Sequence, residues 1–217
     1  AILSSHVMPK NSPWHKPLRL TIAALAWSAI SAHAGVLIKL SNTQGEPLLD
    51  AVAYALPIQK SALKPPTAET PIDQVKKEFT PRVSVIQTGT SVQFPNKDNI
   101  RHHVYSFSPA KTFDLKLYSG TPSKPVLFDQ PGVVVLGCNI HDWMLAYVLV
   151  VETPYFGKAG ADGTVKLDGL PPGDYELKAW HPNLEGAQPT QKIRVGGDAS
   201  YQLRLKISAA VAPASKP

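Results

Sequence analysis

Apolar and polar residues alternate in short runs along most of this chain, the period of two that marks β-strands, and no long stretch has helical spacing. Val36, Ile38 and Leu40 open the series and run into a turn cluster at Ser41–Pro47. Ala51–Leu56 reads as a second strand. Residues 57–71 carry Pro57, Pro65, Pro66 and Pro71 among Lys, Ser and Thr, which predicts a linker or long loop. From Ile72 onward, short strands recur between turns. Arg82–Gln87 ends at Thr88-Gly89, Ser91–Phe94 ends at Pro95-Asn96, and His103–Phe107 follows. Val126–Phe128 precedes Pro131-Gly132, Val133–Leu136 leads into a loop, and Leu145–Val151 leaves it. That spacing predicts a sandwich or barrel. After Pro154, turns at 159–163 and 170–173 frame strands at Val165–Leu167 and Tyr175–Trp180, with Ile193–Val195 and Tyr201–Ile207 completing the set. Residues 208–217 read as a disordered tail. The chain is expected to be all-β, without internal repeats.

The N-terminal stretch departs from this pattern. Met8 reads as the start, Lys10, Lys16 and Arg19 as a basic segment, and Leu20–Ile30 as an apolar run of signal-peptide length. Ala32-His33-Ala34 before Gly35 supplies the small residues of a cleavage site, so 8–34 is expected to be a signal peptide. A short membrane anchor is the alternative, but no later stretch approaches the ~20 apolar residues of a span. Export to the periplasm follows. Removing 1–34 takes three basic and no acidic residues from 22 Lys+Arg and 16 Asp+Glu, leaving +3. The remaining charges are interspersed, which gives nucleic-acid binding no electrostatic support.

Composition also isolates one residue, because Cys138 is the only cysteine. It sits in Gly137-Cys138-Asn139-Ile140-His141-Asp142-Trp143-Met144, with Arg101-His102-His103-Val104 upstream. In an exported protein a lone cysteine is buried and inert, paired between chains, or a ligand. His141 and Met144 on the same short loop favour the ligand. One thiolate, two imidazoles and one thioether are the donor set of a blue-copper site, a Cys/His/His plane with a weak axial Met. Adjacent side chains on a strand point to opposite faces, so only one of His102 and His103 can face such a site. A single thiolate excludes a binuclear centre that needs two bridging thiolates.

Residues 72–151 resemble a cupredoxin of the plastocyanin, pseudoazurin and amicyanin group. The matching frame is Phe79-Thr80-Pro81, Thr88-Gly89-Thr90-Ser91-Val92, the Asn96-to-His102 spacing, Pro131-Gly132 and the Cys138 loop. Two residues separate Cys138 from His141 and two separate His141 from Met144, as in amicyanin. The whole chain is similar to exported plastocyanin-like proteins labelled methylamine utilisation protein. A second resemblance joins Gly45-Glu46-Pro47-Leu48-Leu49-Asp50-Ala51-Val52 to Asp162-Gly163…Leu167…Leu170-Pro171-Pro172-Gly173-Asp174-Tyr175, which look like two halves of a carboxypeptidase-regulatory-like β-sandwich. Together they imply a cupredoxin Greek-key β-sandwich at 72–152 and a second, smaller β-sandwich split between 35–71 and 153–207. An extended cupredoxin followed by a separate short sandwich is the alternative.

The cupredoxin resemblance implies one type 1 copper ion held by His102, Cys138, His141 and Met144. Matching Asn96 to the family's Asn makes His102 the ligand. The chain departs from the family after each ligand: His103 replaces the usual Asn, and Asn139 replaces a hydroxyl residue. Those positions normally tie the ligand loops together, so His103 and Asn139 are expected to form an exchanged bridge. The usual aromatics before Cys138 are replaced by Val134 and Leu136. Trp143 stands where the family exposes an apolar patch, and either packs under the loop or docks a redox partner.

A periplasmic electron carrier without catalytic activity, meeting a redox partner transiently around His141, is the leading expectation. A copper-handling protein would favour Met-rich or His-rich tracts, yet beyond residue 34 there are one Met and four His. An envelope-binding module with a secondary copper site is the third reading, and residues 153–207 carry no strong aromatic cluster for it. Trp180-His181-Pro182 reads as a strand end. Oligomeric state is left open.

Overall fold

The computed structural model describes residues 34–59, 63, 66, 70–122 and 124–208, and among them every regular element is a strand. The expected signal peptide therefore lies outside the described residues, Ala34 excepted, as does the expected tail from residue 209. Ser208, at the head of that tail, donates its N–H to the Asn183 carbonyl at 2.9 Å. Among the described residues no helix is long and apolar enough to cross a membrane.

Seventeen strands follow in order: β1 (Ala34–Asn42), β2 (Val52–Pro57), β3 (Thr70–Pro71), β4 (Asp73–Val75), β5 (Glu78–Thr80), β6 (Val83–Gln87), β7 (Thr90–Gln93), β8 (His102–Ser108) and β9 (Lys111–Tyr118), then β10 (Val126–Phe128), β11 (Gly132–Gly137), β12 (Leu145–Val151), β13 (Phe156–Lys158), β14 (Thr164–Leu170), β15 (Gly173–Trp180), β16 (Thr190–Val195) and β17 (Ala199–Leu205). The all-β expectation is met, with the strands gathered into several packed sheets.

Strands from both ends of the chain share one core. Sheet β14-β1-β17 and sheet β13-β2-β15-β16 enclose Val36, Ile38 and Leu40 of β1 against Ala53, Ala55, Leu177 and Ala179. Alternation decides which side chains enter: on β1, Leu37 and Lys39 point out between the buried residues. In the middle of the chain, sheet β6-β12-β11-β8-β9 packs with the short strands β10-β7-β3 around Phe94, Val104, Phe128, Val134, Leu136 and Val148.

A third apolar layer lies where the two regions meet. Val52, Tyr54 and Trp180 on one side are clustered with Val83, Leu149 and Val151 on the other. This explains two sequence runs that are apolar at consecutive positions. Strand β2 sends Ala53 and Ala55 into the first core and Val52 and Tyr54 into the layer. Strand β12 sends Ala146, Val148 and Val150 into the second core and Leu149 and Val151 into the layer. A strand covered on both faces has no reason to alternate.

Several strands go beyond those read from sequence, β9 and the β4–β5 hairpin among them. Strand β9 was not anticipated, although Phe113 and Leu115 alternate with exposed Thr112, Asp114 and Lys116. The hairpin β4–β5 turns through Lys76 and Lys77, both in the left-handed region at φ 55° and 59°. Two positive φ values suit a tight hairpin turn, but without glycine each costs on the order of 1–3 kcal/mol. The Asp98 carboxylate offsets this, accepting hydrogen bonds from the Lys76 N–H at 2.6 Å and the Lys77 N–H at 2.8 Å.

Candidate metal centre

Three elements converge at one end of the central sandwich. Strands β11 and β12 form an antiparallel pair that closes at Gly137 opposite Leu145, so residues 138–144 make the connecting loop. Cys138 leaves β11 with its side chain buried beside Leu136 and Ala146 in the second core. The loop turns back where the Met144 N–H donates to the His141 carbonyl at 2.9 Å. His102 begins β8, and a register shift between His102 and Val104 loosens its pairing with β9. Along β8 the inward positions are His102, Val104 and Ser106, all fully buried, which puts His103 on the opposite face.

His102, Cys138 and His141 are thereby brought together, each offering one ligand atom, with those atoms all within 4.8 Å of one another. The Cys138 Sγ lies 3.8 Å from His141 Nδ1. The two imidazole rings meet edge-on, with centroids 4.9 Å apart and planes at 62°. Met144, 1% exposed, belongs to the same buried cluster as Cys138.

Electrostatics favour the neutral imidazole of His141. Burial pushes the pKa of His141 down, and the nearby His102 and Lys77 add to this against a smaller opposing effect of Asp98. His102 Nε2 lies 2.8 Å from the Asp98 carboxylate. Burial by itself would raise the Asp98 pKa, but hydrogen bonds from Lys77, His102 and Lys76 outweigh it and hold the carboxyl below its ordinary range. With Nε2 as the donor, His102 Nδ1 carries the lone pair. That atom is buried and has no hydrogen-bond partner. Such an orphan costs about 1–3 kcal/mol, and a metal ion is one way to satisfy it. A soft thiolate, two imidazoles and a thioether fit copper, and the residues present suit that ion.

The remaining sequence candidates fall elsewhere. His103 turns away from the cluster, pairs through Nε2 with the Asp114 carboxylate and rests edge-on against Tyr105. Asn139 is exposed. The bridge expected between His103 and Asn139 is therefore replaced: strand alternation sends His103 across β8 to β9, where Asp114 receives it. Trp143 is half-buried against the second core, with its ring 5.0 Å from His141 and its Nε1–H donating to the Lys77 carbonyl at 3.1 Å.

Several residues around the site escaped sequence reasoning. Asp98 looks like a surface-loop charge, and its partners Lys76 and Lys77 lie more than 20 residues upstream. Asn96 served in the sequence only as a spacing marker, yet it organises the loop ahead of His102, donating to the carbonyls of Ile100 at 2.8 Å and Tyr118 at 2.9 Å while its Oδ1 accepts from the Asp98 N–H. Gly137 matters for space: a Cβ there would come within 2.8 Å of the Tyr105 ring, which lies against the backbone next to Cys138. An aromatic residue facing a glycine across two strands was the available signal.

No family model matches the chain, and no curated protein does either. Solved structures do. The copper-containing nitrite reductase from Thermus scotoductus SA-01 is 24% identical over 45% of this chain and 25% of its own, with a TM-score of 0.37. This chain thus matches about a quarter of that enzyme's length. A purple cupredoxin from Nitrosopumilus maritimus is 21% identical over 38% of this chain and 99% of its own, with a TM-score of 0.34. An amicyanin variant in its oxidised state is 16% identical over 38% and 81%, with a TM-score of 0.35.

Proposed function

We propose that this protein is an exported, periplasmic electron carrier with one type 1 copper ion. His102, Cys138 and His141 would hold the ion, with Met144 as a further, weaker sulfur donor. When bound, copper supplies the one-electron Cu(I)/Cu(II) couple. The chain's own contribution is to keep a mixed donor set in place, since thiolate and thioether suit the reduced ion and imidazole the oxidised one. A site that changes little between the two states needs donors fixed beforehand by the fold.

The observation that carries this reading is the buried trio itself. Three donor atoms lie within 4.8 Å of one another, and His102 Nδ1 among them has no hydrogen-bond partner. Of the three, His141 is the most exposed, at 8% against 0% for His102 and 3% for Cys138. Beside it Ile140 is 46% exposed, so the His141 edge is where a transient redox partner would approach. The sandwich of 72–152 would then be a cupredoxin domain. Residues 35–71 with 153–207 would be a single split domain of the carboxypeptidase-regulatory-like kind.

Copper(II)-loaded protein is expected to show an intense thiolate-to-copper charge-transfer band in the red. Cys138→Ser should abolish the band while circular dichroism keeps its β-signature. A colourless protein with copper bound would sink the electron-carrier reading and promote copper handling instead.

A further inference from the structure

The residues expected to tie the His102 loop to the His141 loop do not do so. His103 is engaged by Asp114 on the far face of β8, and Asn139 is exposed. We propose that the β4–β5 turn is the tie, clasping the His102 loop through Asp98 and the His141 loop through Trp143. The inference rests on reading the trio as a metal centre.

The connection can be followed atom by atom. His102 Nε2 lies 2.8 Å from Asp98 Oδ2. The same oxygen accepts from the Lys77 N–H at 2.8 Å, and Oδ1 accepts from the Lys76 N–H at 2.6 Å. The Lys77 carbonyl accepts from Trp143 Nε1–H at 3.1 Å. The Trp143 ring then lies 5.0 Å from the ring of His141. One residue, Lys77, is thus bonded through its N–H to one loop and through its carbonyl to the other. The left-handed φ at Lys76 and Lys77 lets both N–H groups converge on one carboxylate.

Each link has a chemical consequence for the donors. A carboxylate accepting from Nε2–H fixes the His102 tautomer and leaves the lone pair on Nδ1. Trp143 fixes the lateral position of His141, because its ring cannot slide while its N–H is held. Asp98 and Trp143 are therefore positioning residues, with the turn between them setting the separation of the imidazoles.

The test uses the full chain without metal, then with Cu(I) alone. In the metal-free wild type, nitrogen NMR should find His102 as the Nε2–H tautomer, with that proton and the Trp143 Nε1–H exchanging slowly. Trp143→Phe keeps the ring and removes the donor. It should speed exchange of the His102 Nε2–H about tenfold and weaken Cu(I) binding about ten- to hundredfold, the range seen when a ligand's supporting partner is lost. Asp98→Ala should do the same and Asp98→Asn, which keeps an acceptor oxygen, should restore part of the affinity. If Trp143→Phe leaves both His102 exchange and Cu(I) affinity at wild-type values, the clasp is wrong. A wild type that binds copper without colour would overturn the electron-carrier reading but not the clasp, since the imidazole readout needs no metal.

Discussion

The core shared by β1, β2 and β14–β17 is made of aliphatic residues, alanines and Tyr175. The core of the central sandwich adds Phe79, Phe94 and Phe128 to an aliphatic filling, takes in Cys138 and Met144, and ends against the buried His102. Polar satisfaction divides them in the same way. Among the described residues, the buried side-chain atoms without a hydrogen-bond partner are Gln74 Oε1, Ser84 Oγ, Gln93 Oε1 and His102 Nδ1, and all four lie in the middle of the chain. A region built only to be stable would not keep such groups. Of the four, only His102 Nδ1 lies in a cluster of metal-donor atoms. On the function proposed above, one region would serve as a support and the other would hold the metal.

The strongest way to break this contrast is to separate the regions. Trp180 is 8% exposed in the layer between them, with its ring 6.1 Å from that of Tyr147. Trp180→Ala should cost about 3–5 kcal/mol, as for a large buried aromatic. Urea unfolding followed by near-ultraviolet circular dichroism and by the copper band should then give two transitions in place of one, with the copper band surviving the loss of the first core. A single transition shifted by under about 1 kcal/mol would mean that the layer contributes nothing to cooperativity.

How much of this contrast the sequence carries can be traced through particular residues. The doubly covered strands β2 and β12 are legible because their apolar runs do not alternate, and the inward position of His102 follows from the parity it shares with Val104. The loop from Cys138 to Met144 is legible because all its donors are local. Asp98 is not legible, because its role depends on a turn brought close only by folding. That turn is itself concealed: Lys-Lys carries none of the Asn-Gly or Gly signal that marks two positive φ values. The Asp114 partner of His103 was missed together with β9. Local donor spacing survives in a sequence, while the contacts that orient the donors are non-local.

The second test sharpens the contrast between neighbouring residues. Copper at a hundredfold excess over its dissociation constant should stabilise the wild type by about 2.7 kcal/mol, because it binds only the folded chain. His102→Ala removes a proposed donor and should lose most of that gain in a thermal unfolding experiment. His103→Ala breaks only the pairing with Asp114 and should keep it. If the two variants exchange behaviour, the donor on β8 is misassigned by one residue.

The smallest expected change in stability falls on Met144, where filling and ligation must be told apart. Met144 is 1% exposed and packs with the second core, so it has a full structural role without any metal. Met144→Leu conserves volume and should cost under about 1.5 kcal/mol. Its effect should instead appear in the reduction potential, which rises because losing an axial donor weakens the more highly charged copper state most. Met144→Gln should lower the potential, since a harder oxygen donor favours Cu(II). Burying an amide costs about 1–3 kcal/mol when its oxygen finds no partner, so Gln should destabilise the metal-free chain more than the copper(II) form. Voltammetry and paired unfolding curves measure the two effects separately. If both variants keep the wild-type potential, Met144 fills the core and is not a donor.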